Sequence, residues 1–288
     1  MRNLMRAGWL PDQHGAWAMI LAPILLGVAQ SHPRPEHLLL TLGALAGFGA
    51  LNAATLWWKT KRTDRYRKPT MTYLAITAAA ALVLIAWHPV ILLWGMFAPL
   101  SLIILATTIR KNEKSLLTRE TVVLISALLA PIAFDIGVGF MHANSVWPWA
   151  NPAGLGGLQS LGLQGTATNA AGKWGWSLLW ANATALWLYF AGTVPYVKTL
   201  IRERRSQRWL IGSVAFHMVA LGVVAALSAT KLVSPWALGV WLLIALRSAL
   251  MPILSNTGTR PLRAPTIGFT EVALTIALLV ALLPGVLA

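Results

Sequence analysis

Lys59-Thr60-Lys61-Arg62-Thr63-Asp64-Arg65-Tyr66-Arg67-Lys68 sets six basic groups in ten residues, between apolar runs at 37–58 and 70–87. Each run approaches the roughly twenty residues a membrane-spanning helix needs. The stretch therefore reads as a charged turn between two crossings. Working outward, the alternation repeats along the whole chain. Apolar segments at about 15–30, 37–58, 70–87, 89–109, 119–142, 174–197, 208–230, 234–256 and 266–287 predict an all-α polytopic bundle of about nine transmembrane helices, a single domain over residues 1–288.

Charge fixes which way the bundle faces. Nineteen basic residues fall before the first segment and after every second one thereafter: Arg2 and Arg6; the 59–68 cluster; Arg110, Lys111, Lys114 and Arg119; Lys198, Arg202, Arg204, Arg205 and Arg208; Arg260 and Arg263. The opposite side carries three, Arg34, Lys173 and Lys231. Lysine and arginine accumulate in cytoplasmic loops, so the N-terminus is expected in the cytoplasm of a bacterial cell and the chain in its inner membrane. The run from Gly15 to Ala29 is read as the first helix rather than a signal peptide, because Pro11, Asp12 and His14 precede it and many spans follow.

Composition agrees. Charged residues make up 11% of the 288, against about a quarter in soluble domains, and 57% are hydrophobic. The net charge of +15 belongs to loop topology, so nucleic acid is not expected as a partner; the lipid bilayer is. With no cysteine, thiol nucleophiles, disulfides, iron–sulfur clusters and cysteine zinc sites are excluded. No metal site and no cofactor are expected. The one long connection, 143–173, is rich in Gly, Ala and Asn with tryptophans at both ends, and reads as an outer loop lying along the membrane surface.

Ionisable groups at membrane depth cost about 2.5–3.5 kcal/mol each on insertion scales, so each needs a partner or a task. Asp135 reads as a buried helix contact and His217 as a hydrogen-bonded core histidine. Arg247 and Glu271 fall at comparable depth on successive antiparallel spans. Two readings stay open for them: a self-neutralising ion pair, or an anion-binding arginine oriented by the glutamate. His14 follows Pro11-Asp12-Gln13 at the start of the first span, where Asp12 or Gln13 suits a helix cap. Asn52 lies near the end of the second. Lys198 follows Pro195, which removes a backbone donor and should loosen the sixth span. Together His14, Asn52, Lys198, Arg247 and Glu271 are the candidate lining of a substrate-binding cavity open to the cytoplasm, with Lys198 and Arg247 taking an anionic group.

Several stretches resemble the YwiC-like family of bacterial membrane proteins: Pro11-Asp12-Gln13-His14-Gly15-Ala16-Trp17, Arg110-Lys111-Asn112-Glu113, Gly192-Thr193-Val194-Pro195-Tyr196-Val197-Lys198 with Ile201-Arg202-Glu203-Arg204, and Ile267-Gly268-Phe269-Thr270-Glu271. The layout is also similar to the UbiA superfamily of intramembrane prenyltransferases, which have nine helices, a cytoplasmic N-terminus and polar loops after helices two and six. That resemblance implies an isoprenoid or other anionic lipid as partner. Its aspartate clusters are missing. With Asn52 on the motif's asparagine, Ala53, Leu56 and Thr60 stand where carboxylates should, and Glu203 is the one acid after the sixth span. Magnesium diphosphate chemistry needs those carboxylates, so any transferase activity would be divergent. The expectation is a UbiA-like bundle binding an anionic or isoprenoid lipid. A small-anion permease and a scaffold for a membrane complex are the alternatives.

Overall fold

A computed structural model describes residues 5, 7–11, 14–60, 63–110, 115–139, 175–257 and 264–283. The expected caps at Asp12 and Gln13, the 143–173 loop, and basic residues such as Lys61, Arg62, Lys111, Arg260 and Arg263 lie outside them. The described chain is helical, with no strand among the described residues: α1 (His14–Ala29), α2 (Glu36–Thr60), α3 (Thr63–Trp87), a 3-10 segment (Pro89–Phe97) running into α4 (Ala98–Ile109), α5 (Leu116–Ala127), α6 (Leu129–Gly137), α7 (Gly175–Ile201), α8 (Gln207–Ala229), α9 (Pro235–Thr257) and α10 (Ala264–Ala281). Six of the described segments are long and apolar enough to cross a membrane, and α1 and α10 contribute shorter apolar helices. The chain is a multi-pass membrane protein.

Differences from the sequence expectation have physical causes. Helix α3 begins at Thr63, inside the basic turn, because Asp64 in its first turn favours a helix N-terminus, and it runs on through Pro69 at the cost of the one backbone bond that proline cannot donate. The fourth crossing opens as a 3-10 coil behind Pro89 rather than as α-helix. The fifth divides at Leu128, whose N–H still reaches the Leu124 carbonyl. Helix α7 continues past Pro195 to Ile201. The proline removes a single bond, and packing on every side outweighs that loss.

Helix α7 is the axis of the second half. It is not among the segments apolar enough for lipid, and most of its residues are buried, including Trp176, Asn182, Tyr189 and Tyr196. Ala22 and Leu26 of α1, Val224 of α8, Trp241 and Ile244 of α9 and Leu278 of α10 pack around it. Helix α1 joins this core to a second one, where Ile20 and Ile24 meet Leu40, Leu84, Ala133 and Ile136. Segment Leu116–Gly137 is 61% buried and Pro89–Ile109 only 11%, so the latter faces lipid along most of its length.

At the end remote from the basic clusters, side chains stitch the backbone. His37 accepts from the Arg34 N–H at Nδ1 and donates from Nε2 to the Ala133 carbonyl at 2.8 Å. Arg34 donates to the Gly137 carbonyl. Trp94 donates to Asp135 at 2.9 Å, giving that buried carboxylate a partner. Helix α1 touches α6 backbone to backbone at Gly27. A Cβ there would overlap the Ala130 carbonyl and stand 2.8 Å from Ala133 Cβ and 2.9 Å from Phe134 N. Gly27→Ala should therefore destabilise the purified protein by about 1–3 kcal/mol through overpacking. Gly212→Ala, with nothing within 4 Å of the added atom, should keep or slightly raise thermal stability in detergent, since alanine is the better helix former. Equal melting of both variants would contradict the α1–α6 contact.

Candidate functional site

Two polar or hollow features occupy different halves of the bundle. The first is a closed cluster around Arg247. Its guanidinium donates from Nη1 to Glu271 Oε1, and both residues are buried. Thr193 and Tyr189 donate to Glu271 Oε2 at 3.2 and 3.0 Å, and Tyr189 Oη is also 2.9 Å from the Glu271 carbonyl. The guanidinium carbon lies 4.0 Å from the Tyr196 ring centre, a cation–π contact that replaces lost hydration. His217 donates from Nδ1 to the Ser213 carbonyl at 2.7 Å and meets Tyr196 edge-on. These partners sit on α7, α8, α9 and α10, and α7 supplies Tyr189, Thr193 and Tyr196 at helical spacings of four and three. The carboxylate of the pair is saturated by its neighbours, while Arg247 Nε and Nη2 and His217 Nε2 are buried without a hydrogen-bond partner.

The second feature is a cavity of about 970 Å³ in the first half of the chain. Helix α2 lines it from Ala44 to Trp58, α4 through Ser101, Ile104, Leu105, Thr108 and Ile109, and α5 and α6 through Val122, Ile125, Ser126 and Leu129, with Ile20 of α1 behind. Small residues on α2, Ala44, Gly47 and Ala54, open the space. Its lining carries four hydroxyl side chains, Thr55, Ser101, Thr108 and Ser126, and no charged group. Thr55 spends its hydroxyl on the Leu51 carbonyl, which leaves that wall still more apolar. Trp57 and Trp58 stand at the end of the cavity nearest the basic clusters, and Trp58, Leu105 and Ile109 are about half exposed at its rim.

Of the residues proposed from the sequence, Arg247 and Glu271 are brought together, away from the cavity. Lys198 places its ammonium 4.2 Å above the Trp209 ring at the start of α8. Asn52 lies on α2 between cavity-lining Leu51 and Ala54 but is not itself part of the lining. The side chain of His14 falls outside the described residues. Sequence reading missed Tyr189, Thr193 and Tyr196 as partners of the ion pair; their spacing on a helix too polar for lipid was the available signal. It also missed Ser101, Thr108 and Ser126.

The chain is 32% identical over 212 residues to the uncharacterized protein YwiC of Bacillus subtilis (strain 168), covering 73% of this chain and 74% of that relative. It belongs to the YwiC-like family. The family model, described as YwiC-like protein, matches residues 10–134. All eighteen cavity-lining residues fall inside that stretch of the YwiC-like chain, and the Arg247 cluster lies beyond it. An uncharacterized protein of Haemophilus influenzae (strain ATCC 51907 / DSM 11121 / KW20 / Rd) is 23% identical over 212 residues, 73% of this chain and 74% of its own. No solved structure matches the chain.

Removing one partner of a buried ion pair strands the other charge, at about 3–5 kcal/mol. Glu271→Leu alone should sharply lower the melting temperature, and Arg247→Met added to it should recover most of the loss. A double variant as unstable as the single one would show that the pair does more than neutralise itself.

Proposed function

We propose that this YwiC-like protein binds a membrane lipid, with the lipid's apolar chain in the cavity between α1, α2, α4 and α5. The observation that carries this reading is the lining: about 970 Å³ of space whose walls hold no charged side chain. That volume lies at the upper end of the roughly 300–1,000 Å³ typical of ligand sites, and apolar walls favour hydrocarbon by the ordinary transfer free energy. Half-exposed Leu105 and Ile109 on the lipid-facing segment give a chain a sideways route in from the bilayer. Two features weigh against the small-anion permease: Arg247 is engaged by Glu271, and Asp135, the acid of the remote half, is engaged by Trp94. In this reading Arg247 and Glu271 are a structural pair, and the cavity lining comes from other residues.

Trp57, Trp58 and Ile109 of the lining adjoin Lys59 and Arg110 along the chain, so the cavity reaches the end that bears the basic clusters. The positive-inside rule makes that the cytoplasmic end, with the N-terminus on the same side. Because the chain has no cysteine, single cysteines introduced at Arg65 and Arg205 can be labelled cleanly. Both should react from the cytoplasmic face, and labelling from opposite faces would overturn the topology.

Ala54→Trp fills the cavity without adding charge. Purified from membranes, this variant should keep its fold and lose most of the lipid that native mass spectrometry detects on the unsubstituted protein, with Ala54→Ser as the silent control. Full lipid retention by Ala54→Trp would retire the cavity as the binding site.

A further inference from the structure

Burying a hydroxyl away from water costs free energy unless it finds a hydrogen-bond partner, and one hydroxyl in the cavity wall has none. Ser126 of α5 is 7% exposed and lines the hollow. A helical serine or threonine often bonds the carbonyl four residues back, as Thr121 does to Leu117 on the same helix at 2.8 Å. Ser126 makes no such bond, and its hydroxyl meets no partner among the described residues. Its oxygen is left for whatever fills the cavity.

Depth in the membrane narrows what that can be. Helix α4 ends at Ile109 and α5 starts at Leu116, on either side of a short basic turn, so the two run antiparallel from one level. At 1.5 Å rise per residue, Ser126 stands about 15 Å from that level and Ser101 about 12 Å. That is roughly half of a hydrocarbon core about 30 Å thick. Two hydroxyls on neighbouring helices thus share the middle of the bilayer, Ser126 buried in the wall and Ser101 exposed at the open side of the cavity. Thr108 is a different case. Its hydroxyl is also unpartnered among the described residues, since Thr107 takes the Ile104 carbonyl. It lies two residues from Arg110, however, where water and headgroups can supply the bond.

A charge at the depth of Ser126 is costly without a counter-charge, and the described lining carries none. A phosphate or carboxylate is therefore disfavoured there. A hydroxyl or carbonyl oxygen is suited, because a serine can donate to either and accept from the first. We infer that the cavity holds an uncharged lipid whose hydroxyl or carbonyl oxygen is bound by Ser126, with Ser101 as a second partner, near the bilayer midplane. Its chain lies along Val122, Ile104 and Leu105 toward the rim. The inference rests on the cavity reading above and adds the class of lipid and its pose, polar end deepest.

The test titrates the full chain, in nonionic detergent, with oleyl alcohol and with oleyl phosphate, and reads bound lipid by native mass spectrometry. The two share one chain and differ in the charge of its polar end. Oleyl alcohol should bind more tightly. Ser126→Ala should weaken it about three- to tenfold, the worth of one net hydrogen bond, and leave oleyl phosphate unchanged. Ser101→Ala should act in the same direction and serves if Ser126→Ala does not fold. Without ligand, Ser126→Ala should melt no lower than the unsubstituted protein, because its hydroxyl serves no protein partner. Ala54→Trp should remove binding of both lipids. Unaltered alcohol binding in both serine variants overturns the midplane contact and leaves the cavity standing, whereas unaltered binding in Ala54→Trp removes the cavity reading itself. Oleyl phosphate bound as tightly as the alcohol, or a ligand-free Ser126→Ala protein that melts lower, also overturns the inference: the first would put the polar end at the rim, and the second would give the serine a structural task.

Discussion

A helix carrying Asn182, Tyr189, Thr193 and Tyr196 cannot be turned toward hydrocarbon, and that constraint arranges the second half of the molecule. In lipid no water is available to satisfy exposed polar groups, so they must be enclosed by protein. Helix α7 is enclosed by α1, α5, α8, α9 and α10, and the ion pair of Arg247 with Glu271 is closed over its polar face. The pair and the helix meet part of each other's need, though Arg247 Nε and Nη2 and Asn182 Oδ1 keep no hydrogen-bond partner. Glu271 gives the Thr193 and Tyr189 hydroxyls an acceptor, while the Tyr196 ring covers the guanidinium.

The first half has the opposite character. Beyond their charged ends, helices α2, α3 and α4 are mostly apolar, need little enclosure, and α2 and α3 pack with Ala and Gly where they could have used larger residues. Lipid is as good a neighbour to such helices as another helix, so a gap between them costs little. The cavity is the result. Helix α1 separates the two regimes, with Ala22 and Leu26 in one core and Ile20 and Ile24 in the other.

Much of this was legible in the sequence. Repeated apolar runs announced an all-helical polytopic chain, and the depth of Arg247 and Glu271 brought them together on paper before geometry did. The cavity was not legible, because Leu51, Ile104 and Ile125 lining a hollow are the same residue types as Leu82 or Leu102 facing lipid. Hydropathy distinguishes membrane from water, and it is blind to the difference between membrane and void. Polar residues drew attention instead: Asn52, Lys198 and Arg247 were conspicuous, and Lys198 sits over the Trp209 ring. Helix breaks were partly announced, since Pro89 opens the 3-10 segment and Pro131 cannot donate to the Ala127 carbonyl beside the division at Leu128.

The 3-10 coil from Pro89 to Phe97 has a mechanical consequence. Such a coil rises about 2.0 Å per residue against 1.5 Å in an α-helix, so its nine residues stretch this crossing by roughly 4–5 Å. Everything that follows, including the stripe from Ser101 to Ile109, is pushed that much farther across the bilayer. Rewinding the coil would haul one wall past its neighbour by nearly a full turn, so the alignment of the hollow is set by a spring at the far side of the membrane.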